Sequence, residues 1–361
     1  MKESTVKLVR FDKGMTSIVK GFAIIFMIIL HSYGDNYDVS LDFSHGYLLM
    51  YRSQFKICVG MFTFMVGYGY AFSKTKDIKY GLIHIKKLLI PFWTILFLFS
   101  APFCISYILD SDIKTILYNL FGVTDRNPKP FLNYGWFVYF FIFSMAVMPI
   151  ISRFIDKNPI KNSVISIIIL FSIEVVFHEI PRIMGIFNID IPRVAETDLP
   201  LAFFNCLIMS PIMVLGYLFA QKGYFERINV NYLSRFSTLC VCILTMIAII
   251  VLRKFTYNDH NPFNLDFFYS PMMITAIVIL FSKFQWRYFR AILTKMGGVS
   301  VYMWFFHALF FTTAVKWFYQ PAITIFSDIN LVVLWTIILT FFASWGIKSV
   351  VDWIVRRMAK S

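Results

Sequence analysis

The segment "GFAIIFMIILHSYGD", residues 21–35, is apolar without interruption up to His31 and turns polar immediately after it. Such a run is typical of a signal-peptide core, of a membrane-spanning helix with a wet end, or of one half of an active site. Residues 34–38, "GDNYD", offer no small-residue cleavage site. Further apolar runs follow along the whole chain. We therefore predict that this segment stays in the mature protein and spans the membrane.

The rest of the sequence repeats segments of the same kind. Of its 361 residues, 58% are hydrophobic and 42 are Phe, which is more apolar surface than a soluble protein of this length can enclose. Apolar stretches of about 18–25 residues are long enough to cross a bilayer as helices. The sequence predicts an all-α, polytopic membrane helical bundle, with one domain over 1–361 and no separate soluble domain. About ten membrane-spanning helices are predicted, near residues 15–34, 54–73, 85–108, 134–152, 163–180, 200–221, 234–252, 267–283, 297–319 and 329–350.

The formal net charge of +14 does not indicate nucleic-acid binding. The basic residues fall in short bands between apolar runs, where they orient spans, and they form no continuous stripe. Most of them lie on one side if the N-terminus is cytoplasmic, so both termini are expected in the cytoplasm. The five cysteines lie in apolar runs without a CxxC pair. They are expected to be buried free thiols, and no metal is expected.

Lys20 and His31 are eleven residues apart, so on a helix they project from nearly the same face about 16 Å apart along the axis. His31 is a candidate general base that faces an internal cavity, and Lys20 a candidate anion-binding group at its cytoplasmic mouth. Asp35, four residues further, is in position to orient the imidazole if the helix continues that far. The alternative is an interfacial histidine beside water and a lysine that extends to the membrane surface.

A second histidine lies near the C-terminus, in "GGVSVYMWFFHALFF", residues 297–311. Ser300, Trp304 and His307 fall at positions i, i+4 and i+7, which form one stripe of a helix. This spacing puts His307 about 15 Å in from the cytoplasmic end, near mid-bilayer. A titratable residue at that depth is a candidate for function. The alternative is a hydrogen bond from the imidazole to a neighbouring helix.

Two other groups of polar residues lie in or beside apolar runs. Glu174 and His178 are i and i+4 on one predicted helix, but two ligands make a weak case for a metal, because a catalytic Zn²⁺ usually takes three. Lys86 and Lys87 precede the third span, where a helix N-terminus also favours a phosphate. Nucleotide-binding loops, hydrolase elbows and the HExxH motif are absent from the sequence.

In their order along the chain, these motifs resemble the acyltransferase-3 family, integral-membrane acyltransferases of about ten spans that modify sugars and surface polysaccharides. The resemblance is carried by five short motifs at similar spacing. They are "KGFAIIFMIILH" (20–31), Gly67-Tyr68 at the end of span 2, Lys86-Lys87 with Pro91, Trp136-Phe137, and Ser300, Tyr302 and His307.

The resemblance implies an acyl-CoA donor, usually acetyl-CoA, that is reached from the cytoplasm, and a hydroxyl of a glycan or lipid-linked sugar as the acceptor. His31 is then the general base, with Asp35 or a backbone carbonyl orienting its ring. A covalent acyl-enzyme remains an alternative to direct transfer. The expected location is the cell membrane of a bacterium, embedded in the lipid bilayer. The residues expected to bind the donor, position the acyl group or stabilise the oxyanion are Lys20, Lys86, Lys87, Trp136, Ser300, Tyr302 and His307.

A different class of function also fits the intramembrane polar residues. A proton-coupled transporter or flippase of a glycan or lipid would use Glu174, His178 and His31 as a proton relay, without chemistry on the substrate. It predicts substrate accumulation and no consumption of acyl-CoA. The sequence predicts no oligomeric state.

Overall fold

The computed structural model describes residues 8–34, 37–44, 46, 48–123, 130–174, 176, 198–256 and 265–358, without the side chains of 174 and 198–205. Apart from two isolated β-bridges, its regular structure is helical, and the predicted all-α class is confirmed. Its α-helices are α1 (Lys13–Ser32), α2 (Ile57–Ala71), α3 (Ile78–Ile95), α4 (Ile105–Leu109), α5 (Ile113–Leu120), α6 (Trp136–Lys157), α7 (Pro159–Glu174), α8 (Asp198–Lys222), α9 (Arg235–Thr256), α10 (Asp266–Lys283), α11 (Arg287–Gly298), α12 (Ser300–Ala308), α13 (Lys316–Tyr319) and α14 (Ile329–Met358).

Six helices of the described chain are long and apolar enough to cross a membrane: α1, α3 with its continuation to Phe103, α6, α9, α10 and α14. Others are apolar but shorter, such as α2 with 15 residues and the described part of α8, Cys206–Lys222. The chain is thus a multi-pass membrane protein, while the count of about ten spans and the cytoplasmic termini stay predictions.

Helix α1 lies at the centre of the bundle, where it packs against α2, α10, α11, α12 and α14. It begins after Asp12, whose carboxylate accepts a hydrogen bond from the Met15 amide at 2.9 Å, because the first N–H groups of a helix lack partners within it. We call the end of the bundle where α1 begins and α2 finishes the Lys13 end, and the opposite end the Ser32 end.

Two of the helix contacts depend on glycines. A Cβ atom at Gly297 of α11 would lie 1.8 Å from the carbonyl oxygen of Ser17 on α1, and one at Gly21 would lie 2.5 Å from that of Leu293. Between α2 and α8, a Cβ at Gly67 would lie 1.8 Å from the Met213 oxygen. Small residues permit this approach of backbones, which lets helices in a membrane associate by close packing.

The predicted span over 297–319 differs from the structure. There the chain forms α11, a break at Val299, and then the nine-residue α12, after which it turns from Leu309 onward. The adjacent Gly297 and Gly298 explain the break, because glycine is a weak helix former. The amphipathic α11 packs beside the first half of α1, and α12 continues towards the Ser32 end.

A buried ion pair joins α9 and α10. The Arg253 guanidinium donates to both carboxylate oxygens of Asp266, at 2.6 and 2.8 Å, and also to the Ser53 carbonyl at 2.7 Å. Arg253 is fully buried, and a charge at such depth requires a paired carboxylate. All five cysteines are free, and four of them are buried, as expected.

Candidate active site

The two candidate histidines lie side by side. His31 is in the last turn of α1 and His307 in the last turn of α12, and their ring centroids are 5.3 Å apart. His307 is fully buried, while His31 is partly exposed. Two residues far apart in the sequence thus form one site, which we call the histidine pair.

The orientation of His307 is fixed by its own helix. Its Nδ1 lies 3.1 Å from the carbonyl oxygen of Met303, and because a carbonyl only accepts, Nδ1 carries the proton. The Nε2 atom is buried and has no hydrogen-bond partner among the described residues. A neutral ring in this tautomer has a lone pair at Nε2, so it can accept a proton or hydrogen bond but cannot donate one to an oxyanion.

Sequence reasoning missed a third ring at this site. The ring of Tyr134 lies 3.7 Å from that of His31 and 5.7 Å from that of His307, centroid to centroid, and is within 5° of parallel to the latter. Its backbone has a φ of 60°, which is unusual for a bulky residue. The Trp304 indole donates a hydrogen bond to the Tyr134 carbonyl at 3.0 Å and so holds this conformation.

Two other aromatic residues were predicted in the site, Trp136 and Tyr302. The ring of Trp136 lies 6.2 Å from that of Trp304, which is one turn before His307 on α12. Tyr302 is five residues before His307 and so lies about 140° around the helix from it. The structure does not bring Tyr302 next to the histidines, and the role predicted for it stays a prediction.

A cavity of about 840 Å³ opens at the Lys13 end between α1, α2, α3, α6 and α12. The predicted donor-binding residues Lys20, Lys87 and Ser300 line it, as do the cation of Lys13 and the ring of His84. Lys86 is exposed and is not among the described residues that line the cavity. With three lysines against the one carboxylate of Asp12, the mouth suits an anion.

A smaller cavity, of about 580 Å³, lies beside the first one, and Asp12 lines both. The extended segment 8–12 runs between them. Its Val9 amide donates to the Ile228 carbonyl at 3.1 Å, and the Phe11 ring lies 4.7 Å from the rings of both Tyr68 and Phe225. This segment therefore forms a wall of the larger cavity.

Several predicted site residues lie outside the described residues. Asp35 and His178 are among them, and Glu174 ends α7 without a described side chain. Within the part of the chain that the structure describes, no group of three His, Cys, Asp or Glu residues is arranged to hold a metal ion. The roles predicted for Asp35, Glu174 and His178, and the expectation of no metal, stay predictions.

The connection between α2 and α3 borders the larger cavity. In the connection, burial lowers the pKa of Lys76, but hydrogen bonds to Tyr217 and Asp156, at 2.7 and 2.9 Å, outweigh it and the pKa is raised overall. These bonds hold the connection between Phe72 and Tyr80, which both line the larger cavity.

Comparison with known protein families shows which family the chain belongs to. A family model described as an acyltransferase domain matches residues 17–348, a range that includes the histidine pair and two of the three lysines of the larger cavity, Lys20 and Lys87. Comparison with curated proteins and with solved structures gave no match. Because the match extends over nearly the whole chain, and six helices are of membrane-spanning length, the protein belongs to the acyltransferase-3 family and is a membrane acyltransferase.

Proposed function

We propose that the protein is an O-acetyltransferase that moves an acetyl group from acetyl-CoA to a hydroxyl of a cell-surface glycan or of its lipid-linked precursor. Family membership supports acyl transfer. The donor fits the Lys13 end, where Lys20 and Lys87 line a cavity large enough for a small molecule, and lysines attract the phosphates of a nucleotide.

One observation carries this proposal: a single helix joins the cavity to the histidine pair. Lys20 lines the cavity, and His31 lies three turns further along the same α1, stacked against Tyr134 and beside His307. A donor with its phosphates at Lys20 has its thioester directed towards His31. The acceptor then approaches from the Ser32 end.

In the proposed mechanism His31 is the general base. It takes the proton of the acceptor hydroxyl as the oxygen attacks the thioester carbonyl. A carbon–oxygen ester bond forms, the carbon–sulfur bond breaks, and the departing thiolate takes up the proton to give free CoA. His307, with its lone pair at Nε2 and its ring 5.3 Å from that of His31, accepts a hydrogen bond from a neighbouring hydroxyl of the same sugar and so orients the attacking hydroxyl towards His31.

The proposed setting is the cell membrane of a bacterium, with the Lys13 end in the cytoplasm, where acyl-CoA is made. The distribution of Lys and Arg supports this orientation. The acetyl group then crosses most of the bilayer thickness within the protein before it reaches the acceptor.

The test uses permeabilised membrane vesicles that carry the protein and the glycan of the cell, supplied with radiolabelled acetyl-CoA. We expect alkali-labile label on the glycan and free CoA in equal amounts. His31→Gln should abolish both without reducing the amount of protein in the membrane, because glutamine cannot take up the proton. His178→Gln should retain both.

Full activity in His31→Gln would contradict the role of the base. Absence of acetyl-CoA consumption, together with substrate accumulation in sealed vesicles that depends on His178, would favour a proton-coupled transporter instead. Mass spectrometry of the labelled glycan identifies the acetylated sugar.

A further inference from the structure

The cavity and the histidine pair do not meet. Neither His31 nor His307 is among the described residues that line the cavity, while Ser300 and Val301, at the start of α12, do line it. Along the same stripe of α12, Trp304 is one turn beyond Ser300, and His307 is almost one further turn along. The distance from Ser300 to His307 along the axis is about 10 Å.

Three aromatic rings fill this interval. Phe62 of α2 and Phe137 of α6 line the inner end of the cavity, and their ring centroids lie 5.2 and 4.7 Å from that of Trp304. The centroids of Phe62 and Phe137 are themselves 6.1 Å apart. All three residues are at most 7% exposed, so they form a closed wall, which we call the aromatic wall.

The aromatic wall is linked to the base by a hydrogen bond. The Trp304 indole, which packs on the phenylalanines from one side, donates to the carbonyl of Tyr134. The ring of Tyr134 lies against that of His31, with 3.7 Å between the centroids and a tilt of 34°. A displacement of Trp304 therefore removes the support of the backbone that holds Tyr134 against the base.

We infer that Phe62, Phe137 and Trp304 form a size-selective gate for the acyl group. This inference rests on the proposed function, since it concerns the path of the thioester from the cavity to His31. In the closed arrangement the thioester cannot reach the histidines, so the rings have to change rotamer for each transfer. The pantetheine arm of the donor then fills the opening, so the acyl group has to fit between the displaced rings and the histidine pair, where there is room for acetyl and not for chains with two or more additional methylene groups.

The size-selective gate is tested by comparing two acyl-CoA donors of different chain length. Permeabilised vesicles with the cell's own glycan receive either acetyl-CoA or butyryl-CoA, and the acyl esters on the glycan are released by alkali and quantified. Phe62→Ala and Phe137→Ala should raise the ratio of butyryl to acetyl transfer by up to about a hundredfold, because a hydrophobic wall discriminates by roughly tenfold per methylene group and butyryl has two more than acetyl. Both variants should also hydrolyse acetyl-CoA faster in vesicles stripped of glycan, since water gains access to the histidines.

The control variant is Phe92→Ala. Phe92 is a buried phenylalanine of α3 whose ring lies 5.0 Å from that of Phe305 on α12, and it is not among the described residues that line the cavity. Replacing Phe92 by alanine removes the same side-chain volume from another helix contact of the same bundle. We expect the wild-type ratio of butyryl to acetyl transfer in this variant.

Two results would overturn the inference, and they are distinguishable. If the wild-type protein transfers acetyl and the ratio is the same in the wall variants as in Phe92→Ala, the gate is wrong and the proposed function stands. If the wild-type protein transfers no acyl group from any donor, both are wrong. Where an alanine variant fails to accumulate, Phe62→Leu and Phe137→Leu give the same comparison, with a smaller rise expected.

Discussion

At Tyr134 the backbone adopts a left-handed conformation that costs a bulky residue about 1 kcal/mol or more. Such a cost persists only where surrounding contacts fix the conformation, here the hydrogen bond from Trp304 and the ring stack on His31. The strain therefore serves to hold an aromatic ring against the candidate base. We interpret Tyr134 as a positioning residue, since its ring restricts the orientations available to the imidazole of His31.

Replacing this ring should separate turnover from donor binding. We expect Tyr134→Ala to lower kcat by about 10- to 100-fold, because misplacing a reacting group by about 1 Å has an effect of this size. The KM for acetyl-CoA should change little, because the donor lysines lie at the Lys13 end. Tyr134→Phe keeps the ring and should retain most of the activity.

Steady-state rates over a range of acetyl-CoA concentrations decide this prediction. An unchanged kcat in Tyr134→Ala would contradict the positioning role of Tyr134. An equal loss in Tyr134→Phe would assign the effect to the hydroxyl rather than to the ring.

The histidines of the site were predictable residue by residue, and Tyr134 was not. His31 and His307 are titratable groups within apolar runs. Because placing such a group in a membrane costs free energy, each is a candidate functional residue from the sequence alone. Tyr134 lies in a loop rich in Pro, Asn and aromatic residues. A tyrosine there has no comparable free-energy cost, so nothing in the sequence distinguishes it. Only the folded contacts distinguish it from the tyrosines around it.

Among the elements, α1 and α11 depend on one close contact. At Gly297 a side chain would meet the Ser17 carbonyl, whereas a Cβ at the adjacent Gly298 has nothing within 4 Å. The two neighbouring glycines thus have different structural roles. Gly297 permits the helices to approach, while Gly298 is exposed and ends α11.

This difference predicts opposite effects of the same substitution. Gly297→Ala should lower the free energy of unfolding by about 1–3 kcal/mol, the usual cost of overpacking, because backbone has to move away from backbone. Gly298→Ala should leave it unchanged or raise it by up to about 1 kcal/mol, since alanine is the better helix former. Thermal unfolding in detergent measures both, and equal melting temperatures in the two variants would contradict the packing argument.

Hydrophobic periodicity located most of the long helices of this chain to within about five residues, but α3 begins seven residues before its predicted start and α14 ends eight residues after its predicted end. The short helices α4 and α5 were not predicted, and in the region of α11 and α12 one apolar run was predicted where two helices with a break occur. The apolar run is present as predicted, but the adjacent Gly297 and Gly298 interrupt the helix. The close contact of Gly297 with α1 fixes the position of this break. Hydrophobic periodicity indicates which residues are kept from water. It does not indicate which helix backbones are in contact.

On the scale of the whole molecule, the lysines of the larger cavity and the histidine pair lie at different depths of the bundle. The cavity at the Lys13 end has Lys13, Lys20 and Lys87 around it, and the histidine pair lies nearer the Ser32 end. An anion is therefore attracted to a mouth that lies away from the histidine pair.

The lysines of α3 test this arrangement, since only one of the pair lines the cavity. Lys87→Ala should raise the KM for acetyl-CoA about fivefold, the effect of losing roughly 1 kcal/mol of charge attraction, and the increase should shrink at high salt. Lys86→Ala should raise it less than about twofold. Equal increases in the two variants would indicate a general effect of positive charge rather than contact in the cavity.

Composition and the ordered motifs were sufficient to predict the all-α membrane fold and the family. They also predicted Lys20, Lys87 and Ser300 as site residues, and these three line the larger cavity. They did not predict the aromatic wall, because Phe62, Phe137 and Trp304 lie on three helices and phenylalanine is common throughout this chain. Their proximity follows from how α2, α6 and α12 pack, which a single sequence does not contain.

The extended segment 8–12 has a consequence for inhibitors. It separates the two cavities at the Lys13 end, and Phe11 is held between Tyr68 and Phe225. A compound that occupies one cavity binds to a surface that already exists. A compound that bridges both has to displace this segment, break the Val9–Ile228 hydrogen bond and expose the Phe11 ring. Bridging inhibitors of this protein should therefore associate slowly, in proportion to the rate at which the segment detaches, and then remain bound for long.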